Sequence, residues 1–188
     1  MSKSILKFFI VTLYIQTACS QENMPPILGQ EKNYSYEVIV DDISVPWGMA
    51  FINSDEFLVT EQSGILYHVQ NRIKNEIKGL PDVYFRGQGG LLDIALHPNF
   101  DTNKTIFFTQ GVNTENDNKG GNTSLYSGVI DSFKLTNVKL LYKATPNTKT
   151  SQHWGSRIVF DKKGHVYFGI GDSGERDSNP QDLSLINI

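Results

Sequence analysis

The chain alternates apolar and polar positions in short runs. Tyr36-Glu37-Val38-Ile39-Val40, Glu56-Phe57-Leu58-Val59-Thr60 and Ile65-Leu66-Tyr67-His68-Val69 are runs of this kind, the last two flanking Ser63-Gly64. Thr105-Ile106-Phe107-Phe108-Thr109 and Val166-Tyr167-Phe168-Gly169-Ile170 follow the same pattern. Runs of about five to eight residues with period two, or wholly apolar, bounded by Gly, Asn, Asp and Pro, predict strands. No window beyond the N-terminus shows a capped helical stripe. The predicted class is all-β.

The strands recur as units. Trp47-Gly48-Met49-Ala50-Phe51 leads through a turn to Phe57-Leu58-Val59-Thr60-Glu61 and Gly64. Asp93-Ile94-Ala95-Leu96-His97-Pro98 leads to Ile106-Phe107-Phe108-Thr109-Gln110-Gly111, and Trp154-Gly155-Ser156-Arg157-Ile158-Val159-Phe160 leads to Val166-Tyr167-Phe168-Gly169-Ile170-Gly171-Asp172. Each unit is an apolar strand, a polar turn, a second apolar strand and a glycine. The longer step between the second and third units contains the polar stretch Val112–Asn122. Such a repeat in an all-β chain predicts four-stranded blades, hence a β-propeller; an ordinary sandwich with accidental similarity is the plainer alternative. Residues 36–188 hold about three blades, whereas closed propellers have about 4–8. Three blades leave sheet edges open, so the expectation is the front part of a larger propeller, truncated at the C-terminus.

The N-terminus reads as an address. Lys3 and Lys7 precede the apolar run Phe8–Ile15, and Gln16-Thr17-Ala18-Cys19 follows. That order of charge, apolar core and small residues is a secretory signal over residues 1–18. The single cysteine, Cys19, stands where a bacterial lipoprotein signal places its lipidated thiol, with residues 19–35 as a tether. Gln16 replaces the usual Leu, and a plain signal cut near Ala18 fits the same residues. The expectation is an exported protein, periplasmic or membrane-anchored through Cys19.

Composition narrows the chemistry. Of 188 residues, 17 are Lys or Arg and 20 are Asp or Glu, a net charge of −3. There is no basic stripe to track phosphates, which argues against nucleic-acid binding. One cysteine excludes a disulfide framework and a cysteine-based zinc site. Chemistry is left to His, Asp, Gln, Arg and backbone groups, and no metal ligand set is assigned.

Among four histidines, His68 reads as a packing residue, His97 in His97-Pro98-Asn99-Phe100 as structural, and His165 as solvated. His153 ends a polar loop directly before the third repeat, and Asp172 ends the adjacent strand. One hairpin returns the chain to the same end of the sheet, so the two side chains can meet. A carboxylate beside an imidazole fixes its tautomer and stabilises the imidazolium, as a general base requires; a purely structural pair fits the same spacing. Phe85-Arg86-Gly87-Gln88-Gly89-Gly90 is the second candidate. Its glycines permit sharp turns and close approach, and Gln88 can present an amide to a polar substrate, or else lie in a solvated turn.

Six segments together resemble one family: Val45–Phe51, Gly87–Phe100, Gly120–Ser124, His153–Asp161, Gly169–Gly174 and Gln181–Ser184. The family is the soluble PQQ-dependent sugar dehydrogenases, also called glucose/sorbosone or aldose sugar dehydrogenases. The resemblance implies a six-bladed β-propeller that holds pyrroloquinoline quinone (PQQ) and calcium. It implies oxidation of an aldose at its anomeric carbon to the lactone, with electrons passed to an external acceptor. In that likeness His153 is the general base, Asp172 its acidic partner, and Gln88 a group near the quinone and sugar. The family's quinone-gripping and calcium-binding residues lie in its C-terminal half, and Leu185-Ile186-Asn187-Ile188 departs from its pattern, so the 188 residues alone are expected to be inactive. The competing reading is a non-catalytic surface propeller that binds glycans or protein partners.

Overall fold

A computed structural model of the chain describes residues 35–113 and 120–182. The chain divides into two units, Met1–Glu37 and Val38–Ile188, and the strands all belong to the second. The signal peptide, Cys19 and the departure at 185–188 lie outside the described residues, as does the tether except for Ser35.

Two four-stranded antiparallel meanders and one hairpin make up the fold. The first sheet runs β1 (Pro46–Asn53), β2 (Glu56–Glu61), β3 (Ile65–Gln70) and β4 (Ile73–Ile77), each strand paired with the next. The second runs in the same order through β5 (Leu91–Leu96), β6 (Thr105–Val112), β7 (Asn122–Asp131) and β8 (Lys134–Lys143). The third is the pair β9 (Gly155–Phe160) and β10 (Val166–Ile170). The repeat therefore resolves into two full units and a third of two strands among the described residues. One helical turn, α1 (Phe100–Asn103), separates β5 from β6.

Successive side chains of a strand point to opposite faces, and the centre of β2 shows why Phe57-Leu58-Val59 are consecutive apolar residues. Leu58 joins Leu66, Ile77, Leu91, Ile94, Ile106, Phe108, Tyr126 and Leu135 in one buried cluster between the first two sheets. Phe57 and Val59 join Val69 in a second cluster on the other face, covered by Val40, Ile43 and Tyr67. Both faces of the strand are thus buried, which selects against alternation. Phe108 and Tyr126 stack within the larger cluster, with ring centroids 5.3 Å apart.

A threonine joins each unit to the next. The Thr60 hydroxyl of β2 accepts the Gly48 N–H of β1 at 2.8 Å and donates to the Leu92 carbonyl of β5 at 2.5 Å. At the matching place in the second unit, Thr109 of β6 accepts the Asp93 N–H of β5 and donates to the Ser156 carbonyl of β9, both at 3.1 Å. Both threonines are fully buried, so each hydroxyl satisfies two backbone groups that would otherwise be stranded. The Asp93 carboxylate strengthens the second junction by accepting the Ile158 N–H at 2.7 Å and an Arg157 N–H at 3.3 Å.

The structure corrects one predicted strand and adds three. Residues 36–40 are not in a ladder; an extended segment becomes a strand only when an adjacent edge takes its N–H and C=O groups, and no described strand does so. Instead Lys74 Nζ donates to the carbonyls of Asp41 and Asp42, tying the segment that follows to β4. Strands β4, β7 and β8 carry charged or small polar residues that read as loop. β4 and β8 are outer strands of their sheets, where charge on the exposed side discourages edge-to-edge association.

Candidate active site

β9 and β10 are antiparallel, with Gly155 opposite Ile170. The residues just before β9 and just after β10 therefore emerge at one end of the hairpin. His153 and Asp172 meet there, with Nδ1–H of His153 donating to Asp172 Oδ1 at 2.7 Å. Two backbone bonds close the junction: Gly171 N–H to the Trp154 carbonyl at 3.1 Å, and Ser173 N–H to the His153 carbonyl at 3.3 Å. Gly171 is required by contact, since a Cβ at that position would overlap the His153 carbonyl.

Asp172 is held ionised. The backbone N–H of Gly174 donates to its Oδ1 at 2.7 Å. That bond is the largest cause of a carboxyl pKa below the usual value, followed by the His153 bond and the nearby charges of His153 and Arg176. An ionised carboxylate only accepts, so Nδ1 of His153 carries the proton and the second ring nitrogen keeps its lone pair. The His153 side chain is 48% exposed, against 18% for Asp172. The imidazole thus presents a lone pair to solvent while its back is fixed.

Gln88 sits in the loop between β4 and β5. Its backbone N–H donates to the Ser151 carbonyl at 2.7 Å, and its side-chain Oε1 accepts the His153 backbone N–H at 2.7 Å. Gly87 has a left-handed backbone, φ 58°, and lies so close to Ser151 that a side chain would overlap its carbonyl. The three residues singled out by sequence, His153, Asp172 and Gln88, are thus brought together from the loop before the second sheet and the two ends of the β9–β10 hairpin.

The other histidines are accounted for elsewhere. His97 Nδ1 accepts the Asn99 N–H at 2.9 Å and faces the Asn103 amide at 2.9 Å, and its ring stacks on Phe107. His68 pairs with Glu56 at 2.7 Å. His165 pairs with Asp161 at 2.8 Å, and Asp161 is drawn down to about 2, chiefly by that bond.

Sequence reasoning missed the supports. Gln62, in the turn after β2, donates its Nε2 to the carbonyls of Gly87 (2.8 Å) and Gly89 (3.2 Å), bracing the loop on both sides of Gln88. Thr123 donates its hydroxyl to the Trp154 carbonyl at 2.5 Å. Asn179 Nδ2 donates to the Asp172 carbonyl at 2.9 Å. All three contacts reach backbone groups, so no residue pattern announces them. A cleft of about 580 Å³ opens beside the pair, lined by Asn122, Asn147, Phe168, Asp172, Glu175 and Asn179 among others. It touches Asp172 but not His153 or Gln88. Among the described residues no three His, Cys, Asp or Glu side chains are grouped to hold a metal ion.

His153 and Asp172 thus form a loop-borne imidazole–carboxylate pair at one end of repeated antiparallel sheets. Residues 43–186 match the profile of the glucose/sorbosone dehydrogenase family, and the chain belongs to that family. It is similar to the aldose sugar dehydrogenase YliI of Escherichia coli (strain K12), 33% identical over 154 residues, which are 80% of this chain and 41% of that protein. The crystal structure of the soluble aldose sugar dehydrogenase from Escherichia coli in the apo-form superposes with a TM-score of 0.73 at 32% identity, covering 79% of this chain and 44% of that one. The PQQ-bound form of the Streptomyces coelicolor aldose sugar dehydrogenase shares the fold, with a TM-score of 0.63 at 23% identity over 73% of this chain and 41% of that one. The sheets described above are blades of a β-propeller. The chain spans about two-fifths of the length of the curated relative.

Proposed function

We propose that this chain carries the proton-handling part of a quinoprotein sugar dehydrogenase, which oxidises the anomeric C1 hydroxyl of an aldose to the lactone. The observation that supports it most is the His153–Asp172 pair, at 2.7 Å with the imidazole about half exposed. The second ring nitrogen of His153 takes the proton of the C1 hydroxyl as the C1–H bond breaks. Asp172 holds the ring in the required tautomer and stabilises the imidazolium that results. Gln88, with its amide oxygen engaged, has NH2 hydrogens to donate to a sugar or cofactor oxygen.

The donor set fits a quinone cofactor: the His153 imidazole and the Gln88 amide NH2 stand at one loop cluster. PQQ, when bound, supplies the two-electron acceptor for the C1 hydride; the protein's part is orientation and the base. Calcium is proposed on the family likeness alone. On the same likeness the grip on both is proposed to lie in further blades, and a chain limited to the blades described is proposed to be inactive by itself. Turnover would require an external electron acceptor. Export, and attachment to a membrane through a lipid on Cys19, are proposed from the N-terminal sequence; incorporation of labelled fatty acid that Cys19→Ser abolishes tests the anchor.

The function is tested by supplying PQQ, calcium, an aldose and a dye acceptor to the protein carrying its remaining blades. Lactone formation with dye reduction is expected. Sugar binding without any quinone-dependent turnover would instead favour the non-catalytic glycan-binding propeller.

A further inference from the structure

We propose that Gln88 is a positioning residue for His153, acting through the backbone rather than only through a ligand. His153 has a left-handed backbone, φ 60°, which residues with a Cβ rarely adopt. It lies ahead of β9, outside any ladder, so no strand pairing holds it there. Its N–H is taken by Gln88 Oε1 and its carbonyl by Ser173 N–H. The Gln88 N–H in turn donates to the Ser151 carbonyl. The two loops are thus tied twice, in opposite directions, on either side of Gln152.

The consequence is geometric. Only the amide oxygen can accept an N–H, so the Gln88 side chain has one orientation and its NH2 is the end left for a ligand. Releasing the His153 N–H frees its backbone to rotate out of the left-handed region. That rotation swings the Cα–Cβ bond and draws Nδ1 away from Asp172. Gln62 braces the carbonyls on both sides of Gln88, so the order of support runs from Gln62 to Gln88 to His153 to Asp172, from one blade to the next. The inference rests on His153 being the base proposed above.

The test is the tautomer of the neutral His153 ring, read by long-range proton–nitrogen correlation on the whole chain labelled with nitrogen-15 histidine. His97, whose Nδ1 accepts a backbone N–H, gives the opposite signature in the same sample. Wild type is expected to show His153 as Nδ1–H. Gln88→Glu keeps an accepting oxygen but loses the NH2, and is expected to keep that signature. Gln88→Met keeps the length but loses the acceptor, and is expected to shift the signature towards Nε2–H. If Gln88→Met does not fold, Gln88→Asn, one methylene too short to reach, replaces it with the same expectation. A wild-type signature in the variant lacking the contact, or a loss in Gln88→Glu equal to that variant's, overturns the inference. The reading needs neither cofactor nor sugar. A protein that keeps this pattern yet never oxidises sugars therefore contradicts the function and leaves the positioning role standing.

Discussion

Asp172 accepts the Nδ1–H of His153 at 2.7 Å while the Gly174 backbone N–H donates to the same carboxylate oxygen at the same distance. One oxygen therefore joins the His153 ring to the loop after β10. The bond orients the ring and sets its tautomer, and the Gly174 N–H holds the carboxyl below its usual value.

Asp172→Asn removes that charge and can turn an NH2 towards Nδ1. The ring then favours the wrong tautomer. Sugar oxidation by the loaded protein should fall by about 10²–10⁴ in kcat/KM, the usual contribution of a positioned general base, with little change in folding. Comparing steady-state rates with thermal melts of the two proteins checks this; equal rates would contradict the role given to Asp172.

Thr109 tests how the blades are joined. Thr109→Val strands the Asp93 N–H and the Ser156 carbonyl in a buried junction. Each unpaired group costs about 1–3 kcal/mol. Thr109→Ser keeps the hydroxyl and should lose less. Urea unfolding of both variants measures the difference, and equal stabilities would mean that the hydroxyl does not join the units.

Phe108 is 1% exposed and stacked on Tyr126 in the cluster between the first two sheets. Phe108→Ala should cost about 3–5 kcal/mol through lost burial and the cavity left behind. A change under 1 kcal/mol in chemical denaturation would show that this cluster is not the core of the fold.

Acid stability has a defined local source. Asp161 titrates at about 2 in the folded chain, against an ordinary value of 3.8, chiefly because of its bond to His165. A lowered carboxyl pKa contributes stability above the unfolded value and loses it as pH falls through the folded one. The loss therefore falls between about pH 4 and pH 2. Asp161→Asn should flatten that part of a stability–pH curve, and unchanged steepness would contradict the assignment. Asp172, shifted in the same direction, contributes with the same sign.

How much was legible in the sequence follows from what each element shows to its neighbours. β2, β3 and β6 are readable because burial on one or both faces writes itself as apolar residues; β10 is readable from its apolar composition although none of its residues is buried. β7 opens with Asn122, Thr123 and Ser124, all buried yet polar, so the same rule hid it. The run at 36–40 has strand composition but no partner edge within the described chain. His153 and Asp172 were legible because a hairpin brings its two ends together whatever the details. The engagement of Gln88 with the His153 backbone was not, because it depends on how one blade's loop docks on the next. The support from Gln62 stayed hidden for the same reason.

The central claim is that His153 takes the substrate proton. Its most direct test is dye-linked aldose oxidation by the full-length protein supplied with PQQ and calcium, wild type against His153→Ala, with folding matched by circular dichroism. The account predicts a loss of about 10²–10⁴ in kcat with quinone binding retained; an undiminished rate in His153→Ala would contradict it.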